Sequence, residues 1–294
     1  MTTITVAASQ HLIQAPDNWE QFVAIVETQV RDAVQQGATL LVFPEYGSLS
    51  LVMLLPPAHR LTLKGQLSGL QAFATDYVSL FESLARQFSV WIVAPSFPFA
   101  IESGHCVNRA WITGPAGEVL YQDKIHMTRF ENELFAISPG TALTIVDTGT
   151  FRFATAICYD SEFPALVKQQ IDGGAQLITV PSCTDSLAGY HRVLYCARAR
   201  AVENQCFVVQ APLCGEAPWC EAIDINVGFA GVFSPVDRGF PADGTLALGT
   251  ATDNWVTAHC DLTMMTNVRE DGQVFNWRDQ QQPCVLPVRI DGGG

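Results

Sequence analysis

Phe153-Ala154-Thr155-Ala156-Ile157-Cys158-Tyr159-Asp160-Ser161-Glu162-Phe163-Pro164 joins an apolar run to a helix start. The run begins at Phe151 and reads as a buried strand ending at Cys158. A helix is expected from Phe163 to about Asp172, followed by a strand from Gln176 to Val180. Cys158 sits at the strand-to-helix turn. A side chain there projects as in a nucleophile elbow, with backbone N–H groups facing an incoming oxyanion. A buried structural cysteine is the competing reading.

Working outward, the same alternation recurs. Ile4 to Ala8 reads as a strand. Trp19, Phe22, Val23, Val26, Val30, Ala33 and Val34 then form one apolar stripe at helical period, with Asp17 and Glu20 at capping-box spacing and Gly37 at the end. Thr39 to Phe43 is a short apolar strand stopped by Pro44. Leu70 to Phe88 reads as a helix and Val90 to Ala94 as a strand. Hairpins are expected around Gly114-Pro115-Ala116-Gly117 and Thr148-Gly149-Thr150. A helix over about Leu187 to Asn204 leads to a strand over Cys206 to Gln210. Later strands are expected at Val227 to Phe233, Thr245 to Leu248 and Val256 to Asp261. Strand–helix alternation mixed with hairpins predicts an α/β fold with mixed sheets. The segment 262–294 is rich in Gln, Asp and Gly. It reads as a tail that packs over something or is partly disordered.

Composition narrows the function. The 294 residues are 48% hydrophobic and only 15% charged. A charged share near 25% is usual, so a large core or an extra buried interface is expected. The formal charge of −13 disfavours binding to nucleic acid or to anionic membranes. Nine cysteines with no C-x-x-C pair argue against a disulfide scaffold and a zinc ribbon, so no metal site is expected. Free cysteines in apolar surroundings suit the reducing cytoplasm. The N-terminus does not read as a signal peptide, and the apolar stretch Val78 to Ile101 is interrupted by Glu82, Arg86 and Gln87.

Two further segments place a reactive group at a strand end. In Leu41-Val42-Phe43-Pro44-Glu45-Tyr46, the carboxylate of Glu45 is partly desolvated, which raises its pKa toward the acid–base range. In Tyr121-Gln122-Asp123-Lys124-Ile125-His126, the ammonium of Lys124 can stabilise an oxyanion or hold a thiolate. Alone, each also reads as an ordinary loop charge.

Together, Phe-Pro-Glu, Asp-Lys-x-His and Cys-Tyr-Asp, with Glu45, Lys124 and Cys158 spaced 79 and 34 residues apart, resemble the nitrilase superfamily of carbon–nitrogen hydrolases. The resemblance runs from Ile4 to about Asp261 and includes Arg200-Ala201-Val202-Glu203-Asn204. It implies an α-β-β-α sandwich over 1–261, with 262–294 as a C-terminal tail. It also implies a Glu-Lys-Cys triad that hydrolyses an amide or carbamoyl C–N bond of a small molecule, with water, through a thioester on Cys158. The Tyr159 N–H would meet the oxyanion. No cofactor is implied, and a homodimer or higher homo-oligomer is. The family's fourth polar residue falls seven positions before Gly140, on Glu133, with Glu131 competing in the same loop. Tyr46, Glu162 and Cys183 are expected to line the pocket. Cys-Tyr-Asp favours amides over nitriles. Ser161 and Glu162 stand where carboxylate-binding members often place arginine, so a neutral or cationic substrate is favoured. The alternatives are a nitrilase, a soluble acyltransferase and a catalytically dead binding protein.

Overall fold

The chain enters through the strand Thr3–Ser9, whose Val6 and Ala8 face one way and Ala7 the other. The next strands, Leu40–Val42 and Trp91–Val93, run parallel to it. Their residues are buried on both faces, which demands continuous apolar runs rather than alternation. Trp255–Asp261 pairs antiparallel on one side and Cys106–Thr113 on the other, so the sheet has a parallel centre and antiparallel flanks. Residues 2–282 are described by this computed structural model.

A second sheet repeats the plan. Arg152–Thr155, Leu177–Ser182 and Phe207–Pro212 run parallel, with Ile145–Asp147 and Gly231–Phe233 antiparallel at the flanks. Val6, Ala8, Leu40, Val42 and Val93 of the first sheet share one core with Phe153, Ile178, Val180 and Val208 of the second. Ala7, Leu41 and Ile92, on the opposite face, pack with Phe22, Val26 and Val30 of helix Trp19–Gln35 and Tyr77 and Phe81 of helix Ala74–Phe88. Helices Pro164–Asp172 and Leu187–Asn204 belong to the second sheet. The layers are therefore helix, sheet, sheet, helix, as expected.

Several sequence readings shift. The cap of the first helix is Asn18, whose Oδ1 accepts from Gln21 N–H at 2.8 Å, not Asp17. The expected helix 70–88 is two helices, Leu63–Leu70 and Ala74–Phe88, joined by a tight turn at Gln71–Phe73. For residues 262–282 the structure takes the first of the two tail readings, a segment that packs over the rest of the chain. Helix Leu262–Asp271 buries Leu262 and Met265 in the core shared by the two sheets, and Val268 is buried as well. Arg269 donates to the Asn204 and Gln205 carbonyls, both at 3.0 Å, and so caps the end of helix Leu187–Asn204. Residues 283–294 of that expected tail, with Cys284, lie outside the described residues.

This packing has a measurable consequence. Met265→Ala should cost about 2–5 kcal/mol, as for other buried methionines. The exposed Asn267→Ala should stay within about 0.5 kcal/mol. Urea unfolding of the two variants checks this. If the two midpoints coincide with the parent's, the segment is an appendage after all.

Candidate active site

Glu45, Lys124, Cys158 and Cys183 all follow strand ends and line one cavity of about 400 Å³. Ligand sites of α/β folds form where parallel strands end, because the loops there are free of the ladder. Tyr46 and Cys158 both hold left-handed backbone, at φ 57° and 48°. A non-glycine residue in that region costs on the order of 1–3 kcal/mol and persists only where its surroundings enforce it. At Cys158 the strained turn is the elbow expected from the sequence, and a short helical turn, Cys158–Glu162, begins there. Cys158 Sγ donates to the Cys183 carbonyl at 3.6 Å.

The charged centre is a buried ammonium between two carboxylates. Lys124 Nζ donates to Glu45 Oε1 and to Glu131 Oε2, both at 2.7 Å, and Lys124 is 1% exposed. Tyr46 Oη donates to Glu131 Oε1 at 2.6 Å. Thr128 gives Glu131 Oε2 its N–H at 2.8 Å and its hydroxyl at 2.9 Å. Asn108 Nδ2 reaches Glu45 Oε1 at 2.9 Å and Glu131 Oε1 at 3.3 Å.

The expectation for Glu133 is corrected here. Glu131 meets Lys124, whereas Glu133 is exposed and pairs with Arg129 at 2.8 Å. The two acids lie two residues apart on a helical turn that ends in a π-helical segment, Glu131–Phe135. Residues two apart on a helix point to roughly opposite sides, so only one can face the cavity. Thr128-Arg129-Phe130-Glu131 has the spacing of a capping box, and Thr128 Oγ1 accepts from Glu131 N–H at 3.3 Å while Glu131 bonds back to Thr128 N–H. That pattern was the sequence signal for Glu131. Counting back from Gly140 missed it. Gly140 has a separate duty. Its N–H donates to the Lys124 carbonyl at 2.7 Å, and a Cβ there would come within 2.7 Å of Asp123 Cβ.

Other expected residues fall as follows. Tyr46, Tyr159, Glu162 and Cys183 line the same cavity. Glu162 pairs with Arg192 at 3.1 Å on the rim. Asp160 is buried and ties the two chemical loops together. It accepts from Ile125 N–H at 3.0 Å and His126 N–H at 2.7 Å, directly beyond Lys124. The His126 ring stacks on Phe163 at 3.8 Å. Arg200 pairs with Glu203 at 3.2 Å, outside the cavity lining. The sequence had no signal for Asn108, an apparently ordinary strand residue.

Electrostatics follow from one cation shared by two anions. Burial pushes Glu45 up, and with Glu131's charge it outweighs Lys124, leaving Glu45 at about 7. Burial acts on Glu131 in the same direction, but Lys124 and the donors from Tyr46 and Thr128 hold it below the usual glutamate value. Burial alone would lower Lys124; the two carboxylates keep it well above an ordinary lysine. Burial and then Glu45's charge push the Cys158 thiol well up, against the pull of Lys124. The thiol is thus protonated at rest, beside a carboxylate that titrates near neutrality. The arrangement can remove a thiol proton on demand and offer a fixed cation to a developing oxyanion.

Comparison with known proteins agrees. The carbon-nitrogen hydrolase family matches residues 5–238. The chain is 32% identical over 282 residues to the probable hydrolase YhcX of Bacillus subtilis (strain 168), covering 95% of this chain and 54% of that protein, so it spans about half the relative's length. The Saccharomyces cerevisiae protein Nit3, of the nitrilase superfamily, superposes with a TM-score of 0.69 at 22% identity, over 91% of this chain and 93% of that one. An amidase mutant from Nesterenkonia sp. AN1, solved with acrylamide added to its active-site cysteine, gives 0.66 at 22% identity, over 91% and 97%. With the family matched over residues 5–238 and the fold of these structures reproduced, the chain belongs to the carbon-nitrogen hydrolase family.

Proposed function

We propose that this chain hydrolyses the C–N bond of a small amide through a thioester on Cys158. The observation that carries the reading is Lys124 held at 2.7 Å from both Glu45 and Glu131, in the cavity that Cys158 enters from a left-handed turn. Glu45 takes the thiol proton as sulfur attacks the carbonyl carbon. Lys124 and the Tyr159 N–H meet the oxyanion. That N–H lies in the first turn of a helix, where amides have no intrahelical acceptor. Glu45 returns the proton to the leaving nitrogen, then activates water to release the acid. Glu131 stays ionised and fixes Lys124. No step needs a metal or an organic cofactor.

The rim supports a neutral or cationic substrate. Its guanidiniums, Arg129 and Arg192, are both paired to glutamates. Asp185, Glu221 and Asp224 line the same opening, and among the described residues no cation lies within ion-pair distance of them. A carboxylate on the substrate would meet three unneutralised acids. The homodimer remains a proposal, supported by the exposed Leu187, Tyr195 and Val202 on one side of helix Leu187–Asn204. So does a cytoplasmic setting, supported by eight free cysteines among the described residues. No helix among the described residues is long and apolar enough to cross a membrane.

Ammonia release across a panel of small amides and nitriles tests the function. Amides bearing an amino group should be turned over faster than the same amides bearing a carboxylate, and nitriles slowest. Carboxylate-bearing amides leading the panel would overturn the rim reading.

Cys158→Ser should abolish turnover, because Glu45 is too weak a base to ionise a hydroxyl and no histidine lines the cavity. Glu131→Ala should lower kcat by roughly 10²-fold or more, the range seen for lost electrostatic stabilisation. Glu133→Ala should stay within about threefold, as for other exposed residues. Substantial activity in Cys158→Ser, or a larger loss for Glu133 than for Glu131, would reassign the site.

The pH dependence follows from Glu45. As general base it must be ionised, so kcat/KM should fall as pH drops through about 7. For stability the sign is opposite. A carboxylate whose folded pKa is raised favours the protonated folded form, so its contribution is present below about 4.5 and is lost as pH rises through about 7. Rate profiles measured from pH 5 to 9 check the first statement. A flat profile across 6 to 8 would remove Glu45 from the role.

A further inference from the structure

Asn108 lies in strand Cys106–Thr113, fully buried, at 0% exposure. It touches all three charged residues of the site, two through their carboxylates and one through its backbone. Its backbone carbonyl accepts from Lys124 N–H at 2.9 Å, which fixes where that lysine leaves its strand. Its side-chain Nδ2 donates to Glu45 Oε1 at 2.9 Å and to Glu131 Oε1 at 3.3 Å. Its Oδ1 has no partner among the described residues. Turning the amide over would press that acceptor against two carboxylate oxygens, so the carboxylates themselves determine which end faces them.

The two oxygens of Glu45 are therefore unequal. Oε1 receives Lys124 Nζ at 2.7 Å and Asn108 Nδ2 at 2.9 Å. Among the described residues Oε2 receives no N–H donor, and the Cys158 thiol is the further side chain that acts on this carboxylate. A proton placed on Oε1 would face two N–H donors, whereas a proton on Oε2 faces none. Glu131 has no such free oxygen: Oε1 receives Tyr46 and Asn108, and Oε2 receives Lys124 and Thr128.

We propose that Asn108 is a positioning residue that assigns the catalytic proton to Glu45 Oε2, by donating to Oε1 of both glutamates. This rests on the reading of Glu45 as general base. In the first half-reaction the S–H bond of Cys158 breaks, sulfur bonds to the carbonyl carbon, and the proton moves to Glu45 Oε2. It passes from Oε2 to the amide nitrogen as the C–N bond breaks. In the second half, water gives a proton to Oε2 while its oxygen attacks the thioester. That proton then returns to the departing sulfur. Throughout, Oε1 keeps both donors, so Glu45 never swings away between steps.

The test compares Asn108→Ala with Asn108→Asp. Asn108→Ala removes the donor. Asn108→Asp keeps the shape but replaces the donor with an acceptor. Both should lower kcat, by about tenfold or more, with KM changed far less. Both should also move the acid limb of the rate profile upward, by about one pH unit in Asn108→Ala and further in Asn108→Asp, because ionised Glu45 loses a donor. The same limb should move in the pH dependence of Cys158 alkylation by iodoacetamide, a readout that needs no substrate. A merely structural asparagine would cut activity in Asn108→Ala, leave the limb in place, and tolerate the nearly isosteric aspartate. An unmoved limb in both readouts overturns the assignment. So does failure of both variants to fold by circular dichroism, which would make Asn108 a structural residue of the strand. A parent protein inactive on every amide, with the alkylation limb still shifting, would sink the proposed function and leave the assignment standing.

Discussion

Lys124 is one positive charge placed between two negative ones in a space that water hardly reaches. Burying any ion is costly unless it is paired and hydrogen-bonded. Here the pairing cannot be complete, because one ammonium faces two carboxylates. The fold resolves the imbalance unequally. Glu131 receives five donors and keeps its charge. Glu45 receives two and becomes the group that titrates near neutrality. One site thus holds a carboxylate kept ionised and another that titrates near neutrality, separated by their surroundings alone.

That inequality also decides the state of the nucleophile. An ionised Glu45 beside Cys158 opposes a thiolate, and burial opposes it further. In the proposed reaction the thiol stays protonated until a substrate carbonyl is in place to accept the sulfur's electrons. A pre-formed thiolate would react with any electrophile that entered the cavity. A thiol that depends on its neighbour for ionisation reacts only where geometry couples attack to proton transfer.

The sandwich exists to bring three distant stretches of chain to one point. Glu45 comes from the first sheet's parallel centre, Lys124 from its antiparallel flank, and Cys158 from the parallel centre of the second sheet. Asp160 links the Lys124 loop to the Cys158 loop with backbone N–H acceptor contacts, and Gly140 lets a third segment approach the Lys124 carbonyl. The strained turns at Tyr46 and Cys158 are stable because the packed sheets around them have no other arrangement to relax into.

Local pattern determined much of this. Period and turn chemistry in the sequence marked the core strands, the hairpins and the principal helices, because these depend on neighbours a few residues apart. The order Glu45, Lys124, Cys158, each at a strand end, marked the residues proposed to react. What needed tertiary structure was direction. Which of Glu131 and Glu133 faces the cavity depends on how one helical turn is rotated, and residues 262–282 join the core because Arg269 finds the end of a helix more than sixty positions away. Asn108 carries no signal at all in a strand sequence. Its meaning lies in two carboxylates that only the folded sheets bring within reach of one amide.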